Sequence, residues 1–157
     1  NSFLRIYTDN QIIKIDDYYS LEKGYPKKSL RIRKQSGYYI INSKKWLSYK
    51  NGVYVKKETE FKIKNIKSFL VLLKETGFHH WIKKEKKCEI YKIRNNFHIE
   101  LNHVKHLGWF IEIEILTNKD VEKARQEIRK ITKLLGIKKK DIEKKGYTKL
   151  LYEKLRG

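Results

Sequence analysis

Two acidic pairs and one arginine pair in this sequence are each separated by a single residue: Glu58 and Glu60, Glu112 and Glu114, and Arg31 and Arg33. Each pair lies in a stretch where polar and apolar residues alternate, which is typical of a β-strand. Side chains two residues apart on a strand point to the same side, roughly 6.5–7 Å apart along the chain. The acidic pairs can therefore seat a divalent metal ion or another cation, and the arginines can bind phosphate oxygens.

The basic balance of the chain indicates an anionic partner. Its 157 residues include 38 Lys and Arg against 18 Asp and Glu, which gives a formal charge of +20. Such a field attracts nucleic acid, nucleotides, polyphosphate or anionic lipid. The charged runs 83–87 and 138–140 are individually more typical of a solvated surface than of a binding site.

Alternation, turn signals and helical spacing predict the elements that position these residues. Strands are predicted at 3–7, 11–15, 29–33, 38–42, 58–63, 88–93, 97–101 and 109–116, with turns at 8–10, 36–37, 51–52 and 95–96. Helices are predicted from Asn65 to about Thr76, from Thr117 to Leu135 and from about Thr148 to Leu155. The second helix has Asp120 in a capping-box-like position. Its apolar stripe is Val121, Ala124, Ile128, Ile131 and Leu135.

The order of the elements favours an α+β protein built on an antiparallel sheet over a βαβ fold, because strands and helices do not alternate regularly. In an open sheet the charged strand faces would look out on bulk water. If the sheet curls into a barrel, the same faces line an interior that holds both signs of charge. That interior suits a polyphosphate bound by Arg and Lys, with Mg²⁺ or Mn²⁺ held by carboxylates.

Cysteine usage and hydropathy narrow the class of protein. Cys88 is the single cysteine, so an intrachain disulfide is excluded, and the Cys and His residues lack zinc spacing. No apolar run approaches the ~18 residues of a membrane span. We therefore expect a cytoplasmic protein without a membrane partner, folded as one domain over residues 1–157.

Cys88 is expected to be a small buried side chain. His98 shares a strand face with Glu100 and Asn102.

The segment 99–114, I-E-L-N-H-V-K-H-L-G-W-F-I-E-I-E, resembles the I-x-L-D-x-V-x-x-L-G-x-F-x-E-I-E signature of the CYTH superfamily, the triphosphate tunnel metalloenzymes. Class IV adenylyl cyclases and thiamine triphosphatases belong to it. Two further segments resemble its motifs in the same order. Asp17-Tyr18-Tyr19 followed by 30–33, L-R-I-R, is similar to D-x-Y-[FY] and L-R-[IV]-R, and 147–151 is similar to Y-S-x-L-L.

The resemblance implies an antiparallel β-barrel, or tunnel, with helices packed outside, and it implies roles for individual residues. Phosphate ligands would be Arg31, Arg33, Lys44, Lys86 and Arg94. Metal ligands would be Glu114, which is the first choice, with Glu112, Glu58 and Glu60. The catalytic groups would be Glu112, Glu114 and Lys44. Lys44 takes the lysine of a T-x-K motif, with Lys50 as the alternative if the register differs. Arg94 would replace the arginine of a K-x-R motif, whose place is taken by Cys88.

Three departures from the family pattern bear on turnover more than on ligand binding. The first-strand E-x-E-x-K motif has no counterpart, so the domain is expected to lack the first strand and helix, either because the sequence is a fragment or because the protein lacks them. Cys88 stands in place of an arginine. Asn102 stands where L-D-x-V has an aspartate, which removes a charge.

The resemblance therefore implies a metal-dependent protein that acts on a nucleotide or organic triphosphate. ATP, inorganic triphosphate and thiamine triphosphate are the candidate ligands, Mg²⁺ or Mn²⁺ the cofactor, and cyclase or triphosphatase chemistry the reaction. The alternative is a non-catalytic basic module that binds polyphosphate or RNA. Nucleic acid attracted by charge and a second copy in a homodimer are further expected partners.

Overall fold

The computed structural model describes residues 7–156, and their side chains from residue 11 onward. The strands are β1 Tyr7–Ser20, β2 Leu30–Gln35, β3 Tyr38–Lys50, β4 Val53–Ile63, β5 His79–Arg94, β6 Phe97–Val104 and β7 Gly108–Ile115. The α-helices are α1 Ile66–Glu75, α2 Val121–Leu134 and α3 Tyr147–Arg156, and a short 3₁₀ turn spans Lys139–Asp141. The strands form one sheet in the order β4-β3-β2-β1-β5-β6-β7. The predicted α+β class with an antiparallel sheet is confirmed.

The chain divides into two compact units. The first unit contains β1 up to Ile13, the tip of the β3–β4 hairpin from Ser48 to Val55, and the segment Lys86–Lys145. The second unit contains Lys14–Leu47, Lys56–Glu85 and the segment from Gly146 onward. None of the helices in the part of the chain that the structure describes has both the length and the apolar character needed to cross a membrane.

The core of the second unit fixes which way the β2 arginines point. Ile32, Ile41 and Leu73 form its buried centre, and partly buried residues of α1 pack against them. Alternation then turns Arg31 and Arg33 to the other face of β2, as predicted. Asn65 caps α1, since its side-chain oxygen accepts a hydrogen bond from the Ser68 N–H at 3.2 Å.

The same unit holds α3 through an aromatic cluster. Leu151 is 1% exposed. Tyr25 makes edge-to-face contacts with Trp81 and Tyr152, at ring-centroid distances of 5.6 and 5.5 Å. Arg156 adds a hydrogen bond from Nη2 to the Trp81 carbonyl at 3.0 Å. The C-terminal helix is therefore fixed to β5 by both packing and a charged donor.

In the first unit, α2 is anchored by an arginine instead of by the predicted apolar stripe alone. Arg125 is 6% exposed, whereas Val121 is 39% and Leu135 is 49% exposed. The Arg125 guanidinium donates to Ser48 Oγ at 2.7 Å and to the carbonyls of Lys50 and Val53, both at 3.4 Å. These acceptors surround the Asn51-Gly52 turn of the hairpin. Arg125 therefore fastens α2 to the β3–β4 tip.

Several predicted boundaries were wrong. The turn predicted at 8–10 lies inside β1, and most of the strand predicted at 3–7 lies outside the described residues. α2 begins after Asp120, whose side chain accepts a hydrogen bond from the Lys123 N–H at 2.9 Å. That cap places the first helical residue, Val121, four residues beyond Thr117.

The predicted hairpin strand at 88–93 is only the second half of β5. The first half contains the charged run that was predicted to be solvated, yet Lys84 is 6% and Lys86 is 5% exposed. Carboxylates on neighbouring strands pair with both lysines, and the rings of Tyr18 and Tyr147 also lie against Lys84. The apolar face of β7 shows the opposite deviation, since Trp109 is 63% and Ile111 is 50% exposed.

Candidate functional site

One face of the second unit carries a group of charged and amide side chains, which we name the arginine cluster. Its members are Asp16, Arg31, Arg33, Asn42, Lys44, Glu58, Glu60 and Lys84. The strand register brings them together, because Arg33 stands opposite Asp16 and Arg31 stands opposite Asn42. Directly opposed residues of an antiparallel pair point to the same face.

Asp16 is the anchor of this cluster and is 0% exposed. Arg33 donates to its two oxygens from Nε at 2.6 Å and Nη2 at 2.8 Å, and Lys84 Nζ lies 3.0 Å from Asp16 Oδ2. Burial by itself would raise the pKa of Asp16, but the hydrogen bonds from Arg33 and the charge of Lys84 hold that pKa well below its ordinary value. Asp16 is therefore a carboxylate that fixes two cations.

Arg31 is held much less firmly than Arg33. Its side chain is 10% exposed, and its Nη2 lies 3.9 Å from Glu60 Oε2, which is too long for a hydrogen bond. Its Nε is buried and has no hydrogen-bond partner among the described residues. Arg33 therefore uses its Nε and Nη2 donors on Asp16, whereas the Nε donor of Arg31 is available to a ligand.

Asn42 links the two carboxylates predicted on β4. Its Nδ2 donates to Glu58 Oε2 at 3.0 Å and to Glu60 Oε2 at 3.3 Å. Lys44 pairs with the other oxygen of Glu58 at 2.7 Å. The amide lowers the repulsion between two like charges that share one strand face.

The first unit has its own group, which we name the carboxylate cluster: Lys86, His98, Glu100, Asn102, Glu112 and Glu114. Lys86 Nζ donates to Glu100 Oε2 at 2.8 Å and to Glu112 Oε2 at 3.0 Å. Burial by itself would lower the pKa of Lys86, but the carboxylates of Glu112 and Glu100 raise it to about 12. Lys86 is therefore a permanent ammonium between two carboxylates.

Asn102 occupies the same position relative to carboxylates that Asn42 occupies in the arginine cluster. Its Nδ2 donates to Glu112 Oε2 at 2.9 Å and to Glu100 Oε2 at 3.4 Å. An aspartate at this position would offer no donor and would add a third negative charge. Asparagine in place of the aspartate of L-D-x-V is therefore explained by its neighbour Glu100, a carboxylate that is only 7% exposed and that an aspartate would repel.

Glu114 lies at the more open end of the carboxylate cluster. Its side chain is 44% exposed, and its Oε2 lies 2.8 Å from His98 Nε2. His98 Nε2 also lies 4.0 Å from Glu100 Oε1. The strand face that His98 was predicted to share with Glu100 and Asn102 is therefore observed, with Glu114 opposite His98 in the register.

The structure gathers most of the predicted site residues into these two clusters. Arg31, Arg33, Lys44, Glu58 and Glu60 lie in the arginine cluster, and Lys86, Glu112 and Glu114 lie in the carboxylate cluster. The remaining two lie elsewhere. Arg94 pairs with Glu127 of α2 and stacks on Phe97 at 5.5 Å, and Lys50 lies at the hairpin tip beside Arg125. Cys88 is fully buried, as predicted.

Three members of the arginine cluster, Asp16, Asn42 and Lys84, were not predicted as site residues. The D-x-Y-[FY] spacing fits Asp16-Asp17-Tyr18-Tyr19 as it stands, so the motif itself could have identified Asp16. Asp17 is the more exposed neighbour and pairs with His80 at 2.9 Å. Lys84 had no signal beyond the charged run, because its burial depends on Asp16 and on a 3.0 Å hydrogen bond to the Tyr18 hydroxyl.

The carboxylates fit a metal ion only in part. Within residues 7–156, no group of three or more His, Cys, Asp or Glu side chains is arranged to hold one. Mg²⁺, however, is usually bound by one or two carboxylates together with substrate phosphates and waters. Glu112 and Glu114 offer hard oxygen donors of that kind, and both side chains are accessible, with 43% and 44% exposure.

Comparison with known proteins agrees with the motif resemblance. The family model described as the CYTH domain matches residues 5–147. The PH1012 protein from Pyrococcus horikoshii OT3 has 30% identity and a TM-score of 0.78, over 92% of this chain and 85% of that chain. A candidate adenylate cyclase from Vibrio parahaemolyticus has 20% identity and a TM-score of 0.70, over 93% of this chain and 83% of that chain.

A third solved structure adds a second reaction to the comparison. It is a candidate adenylyl cyclase from Hippeastrum described as having a dominant triphosphatase activity. It has 15% identity and a TM-score of 0.63, over 94% of this chain and 82% of that chain. At these identities the Vibrio and Hippeastrum likenesses concern the fold alone. No curated protein matches this chain by sequence.

Proposed function

Because the chain belongs to the CYTH domain family, we propose that it binds a nucleotide or organic triphosphate with Mg²⁺ or Mn²⁺ and catalyses phosphoryl or nucleotidyl transfer. ATP, inorganic triphosphate and thiamine triphosphate are the candidate substrates. The likeness to a candidate adenylate cyclase and to a cyclase with triphosphatase activity supports both reactions as candidates.

The observation that carries the proposal is the unengaged donor capacity of Arg31. A buried guanidinium with an unpaired N–H is costly, because the group has lost water without gaining a partner. A phosphate oxygen is the partner that a planar guanidinium fits best. Arg33 and Lys84, held by Asp16, add fixed positive charge to the same face, so the charge of a triphosphate is compensated there.

Lys44 and the carboxylates have separate roles in this proposal. Lys44 is half-exposed and ion-paired with Glu58, so its ammonium is oriented and can exchange that pair for a phosphate oxygen. Glu112 and Glu114 would hold the metal ion, and Glu58 and Glu60 are the second candidate pair. A bound metal ion would neutralise negative charge on the phosphate oxygens.

Product analysis tests the proposal directly. The protein is incubated with ATP, inorganic triphosphate or thiamine triphosphate in Mg²⁺ or Mn²⁺, and cyclic AMP, pyrophosphate and phosphate are separated. Cyclic AMP with pyrophosphate from ATP identifies a cyclase, and phosphate release identifies a triphosphatase. If none of the substrates gives a product above the level of the Arg31→Ala variant, the enzymatic proposal is wrong.

A second candidate function is a non-catalytic module that holds polyphosphate or RNA by charge. It is favoured by Lys86, whose ammonium already neutralises Glu100 and Glu112 as a metal ion would. Binding by this module would weaken steeply with salt, would be indifferent to Mg²⁺ and would survive the double change Glu112→Gln and Glu114→Gln.

A further inference from the structure

Asn42 has an orientation that its neighbours fix. It is 1% exposed, and its Nδ2 faces the carboxylates of Glu58 and Glu60. The reversed amide would point its oxygen at both carboxylates, which is repulsive, so the donor side of the amide must face them. The Oδ1 atom is consequently turned away from Glu58 and Glu60.

This Oδ1 atom is a buried acceptor without a hydrogen-bond partner among residues 7–156. Arg31 Nε is a buried donor in the same condition. The two residues are directly opposed in the β2–β3 register and therefore share one face of the sheet. A ligand that presents an acceptor oxygen to Arg31 Nε and an O–H group to Asn42 Oδ1 would satisfy both atoms.

We propose that Asn42 is a ligand-contacting residue, whose Oδ1 accepts a hydrogen bond from a hydroxyl-type oxygen of the bound triphosphate complex while Arg31 Nε donates to an oxygen of the same ligand. This inference rests on the proposed triphosphate binding and adds a residue and a chemical requirement to it. The ligand must present an O–H beside its phosphate oxygens. A fully deprotonated phosphate group offers acceptors only and leaves Asn42 Oδ1 unsatisfied.

Three sources can supply that O–H group: a water bound to the metal ion, a ribose hydroxyl, or a protonated phosphate oxygen. They are separated by the choice of ligand. Inorganic triphosphate has no ribose, and omission of Mg²⁺ removes the metal-bound water. Binding of inorganic triphosphate with and without Mg²⁺, and of ATP with Mg²⁺, therefore distinguishes the three.

The test compares dissociation constants, measured by calorimetry, for the wild type and three variants. Asn42→Ala removes the acceptor and is expected to weaken binding by about tenfold in at least one of the three conditions. Asn42→Thr introduces one hydroxyl, which can accept a hydrogen bond from the ligand while it donates to one carboxylate. This variant is therefore expected to recover most of the affinity. Ser43→Ala is the matched control, since Ser43 points to the other face of β3 and bonds weakly to the Ser29 carbonyl at 3.5 Å.

The rise in Tm that a ligand produces, measured from each variant's own Tm without ligand, separates a ligand contact from a purely structural role. The proposal predicts that Asn42→Ala shows a smaller rise in Tm on addition of saturating inorganic triphosphate or ATP than the wild type and Ser43→Ala do. If Asn42→Ala and Asn42→Thr both bind all ligands as tightly as the wild type, the assignment of Asn42 is wrong. If the wild type itself binds no triphosphate, the proposed function fails first, and Asn42 is then a structural bridge between Glu58 and Glu60.

Discussion

Arg33 and Asp16 form a two-pronged ion pair in which Nε and Nη2 reach separate carboxylate oxygens, at 2.6 and 2.8 Å. Arg31, two residues earlier on the same strand face, has no comparable pair among the described residues, since its closest carboxylate is at 3.9 Å. The two arginines were predicted to act alike. In the structure Asp16 already engages Arg33, whereas Arg31 keeps donor groups available for a ligand.

Alanine substitutions are expected to separate these two roles. Arg33→Ala leaves Asp16 buried with Lys84 as its remaining cation, and we expect it to lower the free energy of unfolding by about 3 kcal/mol. Arg31→Ala removes a group with an unsatisfied donor and should cost less than about 1 kcal/mol while weakening triphosphate binding at least about tenfold. Urea denaturation and calorimetric titration measure both quantities. Equal losses of stability would contradict the assignment.

The Asp16 carboxylate predicts a specific loss of stability in acid. Because its pKa is lower in the folded protein than the ordinary value of 3.8, its contribution to stability is complete above that pH and declines as the pH falls below it. Asp16→Asn should be less stable than the wild type at about pH 7, and the difference should shrink towards about pH 3. The less buried neighbour Asp17, whose side chain is 34% exposed, gives the matched control Asp17→Asn, for which a smaller difference at neutral pH is expected. A constant difference across this range would argue against the ion pair as the cause.

Lys86 predicts a strong dependence of stability on its two carboxylates. Lys86→Met keeps most of the side-chain volume but leaves Glu100, which is 7% exposed, without its ammonium, so the free energy of unfolding should fall by about 3 kcal/mol. Adding Glu100→Gln to Lys86→Met should restore part of that loss, because the buried charge is then removed as well. Denaturant titration of the single and double variants gives the coupling. If the double variant is no more stable than Lys86→Met, Glu100 is not the charge that Lys86 compensates.

The carboxylates of β7 predict a metal dependence that can be measured on the ligand. Glu114→Gln should remove most of the gain in triphosphate affinity that Mg²⁺ or Mn²⁺ provides, because an amide is a weaker ligand than a carboxylate for a hard cation. The affinity without metal should change less than about threefold, because the arginine cluster is untouched. Glu112→Gln is expected to act in the same direction but with an additional effect on stability through Lys86. If the metal ion still raises the triphosphate affinity of both variants as it does for the wild type, Glu58 and Glu60 become the proposed metal ligands instead.

The sequence was sufficient for elements whose local signals agree with their surroundings. α1 has a capping asparagine, an apolar stripe and a terminal glycine, and it was placed within one residue at each end. The turn at Asn51-Gly52 has positive φ at both residues, 53° and 83°, as its composition predicts. The arginine and carboxylate pairs also lie on the predicted strand faces, because alternation determines the face.

What the sequence did not reveal depends on contacts distant along the chain. The first half of β5 was missed because its buried residues include Lys84 and Lys86, whose burial requires carboxylates on β1, β6 and β7. Arg125 was missed for the same reason, since the backbone carbonyls it satisfies lie more than 70 residues earlier. Hydrophobic periodicity cannot detect a buried cation, because such a residue is polar by every local measure.

The ammonium of Lys86 also has a consequence for chemical labelling. Acylating reagents attack the neutral amine, and the pKa of about 12 makes that form of Lys86 far rarer than it is for an ordinary lysine with a pKa of 10.5. Burial adds a steric barrier, since the residue is 5% exposed. Among the many lysines of this chain, we expect Lys86 to be modified last in the native protein. The delay before its modification therefore reports when the carboxylate cluster opens.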